Sequence, residues 1–149
     1  MIIIEKACKE DLKEILSLQY TAYQSEAKLF NTTDIPPLKQ TLEEVNEEFQ
    51  KGIILKATDE SGTIIGSVRA YQENGTVCVG KLMVHPDFQK QGLGSKLLLQ
   101  IESLFPKQRY ELFTSTKSIN NIRLYQKLGY RILREEAVTE ELQFVYMEK

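Results

Sequence analysis

Apolar positions in this chain follow two periods, and the change from one to the other marks its elements. Short valine- and isoleucine-rich runs occupy residues 2–7, 53–58, 63–71, 77–84, 110–114, 130–136 and 143–147, each too short for a helix and each bounded by turn residues, so they predict strands. Between them the spacing becomes helical. Leu12, Ile15, Leu16, Gln19 and Tyr23 share one face of a helix over 10–24, with Cys8 and Asp11 at its N-cap and N3 positions. Thr41 and Glu44 form a capping box for a helix that ends at Gly52. Leu93, Leu97, Leu98, Ile101, Leu104 and Phe105 predict a third helix, stopped by Pro106. Ser118 is placed to cap a fourth, carrying Ile119, Ile122, Tyr125 and Leu128 and ended by Gly129. Residues 28–39, with Pro36-Pro37 and no period, predict a loop. Asp59 to Gly62 and Asn74-Gly75 predict hairpin turns. The order β-α-α-β-β-β-α-β-α-β-β is that of an α/β (α+β) domain, with a mixed sheet and helices on both faces.

One junction carries chemistry. The strand over 77–84 runs out through Val84-His85-Pro86, and the helix beginning at Leu93 follows Gln89-Lys90-Gln91-Gly92-Leu93-Gly94-Ser95. Free N–H groups and the positive end of a helix dipole at such a handover favour an anion, and glycine lets the backbone approach it. A P-loop would need glycine at 89 and lysine at 95, where this chain has Gln89 and Ser95. A dinucleotide fingerprint would need glycine at Leu97. The pattern Gln89-x-x-Gly92-x-Gly94 instead resembles the pyrophosphate motif of the GNAT acyltransferase superfamily. A second stretch, Ser118-Ile119-Asn120-Asn121-Ile122-Arg123-Leu124-Tyr125-Gln126-Lys127-Leu128-Gly129-Tyr130, resembles that superfamily's other signature helix. The two lie in the right order, and the resemblance spans essentially the whole chain, 1–149, as one N-acetyltransferase domain.

The resemblance implies a central mixed sheet of about seven strands with four helices, and acetyl-CoA as co-substrate. It implies that Leu82, Met83 and Val84 offer backbone groups along the pantetheine arm, one N–H polarising the thioester carbonyl. Gln89, Lys90, Gln91, Gly92, Leu93, Gly94 and Ser95 would wrap the pyrophosphate, Asn121 would hydrogen-bond the cofactor, and Tyr125 would be the general acid beside the sulfur. Ser118 departs from the family, which often has asparagine there. Lys81 stands just before Leu82, where many relatives place a carboxylate. A lysine serves as base only if burial lowers its pKa; it could otherwise meet an anionic part of the acceptor or reach solvent. Glu26 ranks first among the other candidate bases, in the segment with Tyr20 and Tyr23 that lines the acceptor site in relatives. His85, before Pro86, reads as a strand-exit residue, and Arg69 as a partner for an acceptor carboxylate or a surface acid.

Composition narrows the rest. Hydrophobic residues at 42% and charged residues at 27% are ordinary for a globular protein, and a net charge of −2 gives no basic footprint for nucleic acid. No run is long enough to cross a membrane. One histidine and two distant cysteines, Cys8 and Cys78, provide no zinc site and point to a reducing cytoplasm. The expected acceptor is a primary amine of a small molecule or peptide. The acidic helix over 41–51 would attract a cation, and Lys81 and Arg69 an anion. Relatives are frequently homodimers joined at their C-terminal strands. The competing readings are an acyl-CoA-binding sensor without turnover, and a fold with a dead cofactor site.

Overall fold

The computed structural model describes residues 1–140 and 142–149. Strands β1 (Ile3–Lys6), β2 (Ile53–Thr58), β3 (Ile64–Glu73), β4 (Thr76–Val84), β5 (Arg109–Ser115), β6 (Arg131–Ala137) and β7 (Gln143–Glu148) form one sheet in the order β1-β2-β3-β4-β5-β7-β6. Every neighbouring pair is antiparallel except β4–β5, which is parallel. The mixed seven-stranded sheet is the one the sequence led to. The four expected helices are α1 (Leu12–Ala22), α4 (Leu42–Lys51), α5 (Leu93–Ser103) and α6 (Ile119–Lys127).

Two short helices add to them: α2 (Gln24–Phe30) and α3 (Pro36–Lys39), so 28–39 is only partly loop. Asn31 closes α2 in the left-handed region at φ 53°, which asparagine tolerates, and Pro36 opens α3, where its missing N–H costs nothing. Neither has an apolar period to announce it. A single 3-10 turn, Lys9–Asp11, precedes α1, so the helix proper begins later than the expected residue 10. The Cys8–Asp11 box is formed, with the Asp11 carboxylate accepting the Cys8 N–H at 2.9 Å.

Alternation along β2 and β3 divides the core. Leu55, Ala57, Ile65, Val68 and Ala70 face Leu93, Leu97, Leu98 and Ile101 of α5, whereas Ile54 and Ile64 face Leu12, Ile15, Leu16 and Leu18 of α1 together with Val45 of α4. The helices therefore lie on both faces of the sheet. Gly66 sets how closely α5 approaches: a Cβ there would stand 3.0 Å from Leu97 Cδ1. The Asn74-Gly75 turn has positive φ at both residues, 51° and 79°, the form that joins two twisted strands in two residues.

Candidate active site

β4 shapes the site through two irregularities. On one side it pairs with β3, but Arg69 faces Gly80 and Ser67 faces Met83, so Lys81 and Leu82 together oppose Val68. This is a β-bulge, and Lys81 takes the left-handed φ of 51° within it. On the other side β4 pairs with β5 only at Thr76, Val77 and Cys78. Among the described residues no strand pairs with that edge from Val79 to Val84, which leaves an opening inside the sheet.

The loop after Val84 is held by its own side chains. His85 N–H bonds to Ile65 O at 2.8 Å, and His85 Nδ1 accepts the Asp87 N–H at 3.1 Å. The histidine is thus a turn-forming residue. Gln89 Nε2 donates to Val84 O at 3.2 Å, so its amide fastens the loop to the strand end. Lys90 and Gly92 both have positive φ, 64° and 81°, and no Cβ at Gly92 would meet any atom within 4 Å. The helical ladder of α5 begins with Lys96 N–H to Gly92 O at 3.2 Å. The N–H groups of Leu93, Gly94 and Ser95 precede it, and Gly92 has no side chain to cap them. Free donors at the start of an eleven-residue helix, open space over Gly92 and an unpaired strand edge leading to them suit an extended ligand ending in a pyrophosphate.

α6 lies beside this start. A Cβ on Gly94 would stand 3.5 Å from Leu124 Cδ2, an ordinary contact, so the next residue, Tyr125, belongs to the same neighbourhood. The Tyr125 ring is buried, at 6% exposure, with its centroid 6.0 Å from that of Tyr130. Among the described residues its hydroxyl makes no hydrogen bond, and it is not one of the sealed, unpartnered side-chain atoms, which are Asn46 Oδ1 and Arg69 Nε. Burial first, and the nearby Glu26 charge second, push the phenol well above its usual pKa. Asn121, in the first turn of α6, is half-buried and makes no side-chain hydrogen bond among the described residues.

Glu26 reaches the site from α2. Burial raises its carboxyl above the ordinary glutamate value, opposed by a hydrogen bond that the Ser118 hydroxyl donates to Oε1. Ser118 holds the N-cap position of α6, but its side chain makes no cap. The expected capping serine thus gives its hydroxyl to a carboxylate 92 residues away in the chain. Tyr23 lies within electrostatic range of Tyr125 and Glu26, and its phenol is likewise pushed up, chiefly by burial.

Across the sheet face a second polar group serves as a fastener. Arg69, 5% exposed, donates from Nη1 to Gln40 Oε1 at 3.1 Å and to the Glu48 carboxylate, and from Nη2 to Gln19 Oε1 at 2.6 Å. Gln19 Nε2 in turn reaches Pro37 O at 2.8 Å and Gln40 Oε1 at 2.9 Å, and the Tyr20 hydroxyl donates to Gln40 O. Arg69 and Tyr20 are therefore committed to joining α1, α3, α4 and β3. Sequence reasoning missed Gln19, Gln40 and Glu48 in this role; the one available signal was a glutamine in the apolar stripe of α1. Burial pulls the Lys81 ammonium below the usual lysine range, with Arg69 adding to the effect and Glu48 opposing it. Among the described residues no group of three or more His, Cys, Asp and Glu could hold a metal.

The acetyltransferase (GNAT) domain family matches residues 19–149. The chain belongs to the GNAT acetyltransferase family. An uncharacterised N-acetyltransferase, Ycf52, of Pyropia yezoensis is 24% identical over 143 residues that cover 87% of this chain and 78% of that protein. YqkA of Bacillus subtilis, a UPF0157 protein, is 26% identical over 123 residues, 80% of this chain, but the match spans only 34% of YqkA. Among solved structures, the PaiA N-acetyltransferase of Thermoplasma acidophilum, in complex with coenzyme A, superposes with a TM-score of 0.82 at 18% identity, covering 100% of this chain and 98% of that one. The GNAT domain described here thus has that fold, including the seven-stranded sheet.

Proposed function

We propose that this GNAT domain moves the acetyl group of acetyl-CoA to a primary amine of a small molecule or peptide by direct attack. The observation that carries the reading is the meeting of two features: an unpaired β4 edge leading to the free N–H groups of α5, and a buried tyrosine whose hydroxyl makes no hydrogen bond among the described residues, on the adjoining α6. Leu82, Met83 and Val84 would offer main-chain groups along the pantetheine arm. Gln89 to Ser95 would form the pyrophosphate loop, with Gln89 bracing it, and Asn121 would hydrogen-bond the cofactor. When bound, acetyl-CoA supplies a thioester whose acyl carbon accepts an amine.

The chain's own groups do the rest. A main-chain N–H aimed at the acyl oxygen stabilises the charge that develops there, a contribution of ~100-fold or more in comparable sites. Tyr125 keeps its proton at neutral pH and donates to the departing sulfur. Glu26, with its carboxyl raised by burial and oriented by Ser118, receives the proton the amine gives up. Because the free cysteines Cys8 and Cys78 form no disulfide, a reducing, cytoplasmic setting belongs to the same proposal. So does a homodimer through the C-terminal strands, since β6 is exposed along its whole length.

The first test is thermal unfolding with and without acetyl-CoA. Ligand at ~100 times its dissociation constant adds about 2.7 kcal/mol, and the absence of any shift at millimolar cofactor overturns the proposal. Tyr125→Phe should then lower turnover with amines by ~100-fold with little change in that shift. Unchanged turnover removes the acid role. A stabilising shift with no turnover of any amine supports the sensor instead.

A further inference from the structure

The polar groups around the bulge are almost all committed. Glu48 is held by Arg69 and Gln40, and Glu44 accepts from Thr41 N–H at 2.9 Å and Thr41 Oγ1 at 3.1 Å in its capping box. Arg69 is held on three sides by Gln19, Gln40 and Glu48. Lys81 is left over. It lies within electrostatic range of Glu48, Arg69 and Glu44, but among the described residues it forms no side-chain hydrogen bond and no ion pair. Its ammonium is not among the sealed atoms, so it still opens to solvent although the residue is only partly exposed.

Its backbone is also unusual. A lysine held in the left-handed region is a costly conformation for a residue with a Cβ, and such strain persists where the surrounding structure enforces it. Here the bulge between Gly80 and Met83 enforces it. Without the bulge the strand's alternation would carry every following side chain to the opposite face. The next residue along, Leu82, begins the main-chain stretch assigned to the acyl carbonyl. A group bound at Lys81 is therefore next to the reacting centre.

We propose that Lys81 holds a carboxylate of the acceptor, so that the acceptor carries its amine and an acidic group on one molecule. The inference rests on the transferase reading above and adds a substrate class to it. Two charged groups then have complementary duties. Glu26, near Tyr125, takes the amine end, and Lys81 takes the acid end. Arg69, already paired, backs the site without binding the acceptor. A bound carboxylate also restores to the partly buried ammonium the countercharge that the protein withholds.

The experiment uses the full chain, acetyl-CoA and a panel of amino acids set against their carboxamides, with spermidine and tyramine as amines lacking any acid, read by thiol release. Free acids should exceed the matched amides by ~10-fold or more in kcat/KM, a charge-assisted contact's worth. Lys81→Gln should bring acids and amides to near parity by raising KM for the acids, and Lys81→Arg should keep part of the preference. The stabilisation by acetyl-CoA should be the same in all three proteins, which shows each variant folded with its cofactor site whole. Amides equal to acids, or faster turnover of spermidine or tyramine, overturn the Lys81 assignment while leaving the transferase intact. A Lys81→Gln loss in kcat shared equally by acids and amides makes Lys81 a base and overturns it too. Turnover of no amine despite an intact acetyl-CoA shift overturns the transferase reading, and the substrate class falls with it.

Discussion

The two halves of the sheet are built on opposite principles. In β3, the seven residues from Ile64 to Ala70 are all buried, pressed between α1 on one face and α5 on the other. In β6, all seven residues are exposed. The second half is laced by charge: Arg109 Nη2 and Arg131 Nη2 lie 2.7 Å and 2.9 Å from the Glu148 carboxylate, and Arg134 Nε lies 2.8 Å from Glu136. Ion pairs with a solvent-exposed arginine contribute little each, whereas buried aliphatic contacts contribute much. The difference shows where stability resides, and the site lies on the seam between the two. The groups proposed for the chemistry come from both sides of it: the β4 bulge and the start of α5 from the first half, Tyr125 of α6 and Ser118 at its N-cap from the stretch that follows β5.

The strongest way to break the contrast is Leu97→Ala. This side chain is fully buried against β3 and Gly66, and its loss should lower the unfolding free energy by about 2–5 kcal/mol in urea titration. A loss under ~1 kcal/mol would mean that the first half is not the stable one. Next comes the tie between halves. Glu102 of α5 is only 7% exposed, and its carboxylate accepts from Tyr130 Oη at 2.8 Å and from Lys149 Nζ at 2.7 Å. Lys149→Met leaves that carboxylate short of its cation and should cost about 2 kcal/mol. No cost would mean the polar tie is ornamental.

Glu26→Gln sharpens the picture at the seam. The folded carboxyl titrates above the ordinary 4.5, so the native state binds more protons than the unfolded one, and wild-type stability falls as pH rises from about 4.5 through the raised value. The glutamine variant lacks that loss. Its stability relative to wild type should therefore climb between acid and neutral pH. A difference independent of pH would show that Glu26 is not desolvated. The smallest effect belongs to the exposed edge: Ile132→Ala, at a residue 50% exposed, should change stability by less than ~0.5 kcal/mol. A larger cost would reveal that β6 is covered in solution, as a dimer would cover it.

What could be read in advance follows the range over which a signal acts. Thr41 with Glu44, Asn74 with Gly75, and Gln89 with Gly92 and Gly94 are local patterns, and each stands where the sequence placed it. The opposite holds for the Arg69–Glu48 pair and for Glu26–Ser118, whose members are far apart in sequence and leave no periodic trace. Ser118 shows why even a local rule can miss. A serine at a helix start normally accepts a main-chain N–H through its oxygen, but here the Ser118 hydroxyl is turned to donate to the Glu26 carboxylate and makes no cap. Lys81 gave a warning only as a departure from the family pattern. That a bulge would hold it in a left-handed turn depends on pairing with β3, which no short stretch encodes.

The three-residue parallel pairing of β4 with β5 also orders events in time. β2, β3 and β4 are joined by tight turns and pair with their immediate neighbours in the chain, so that meander closes short loops. β5 can pair only after the chain has travelled through all of α5, and it gains few strand contacts when it arrives. Contact order therefore favours the meander forming first, with β5 and the half that bears Tyr125 joining it afterwards along a three-residue seam.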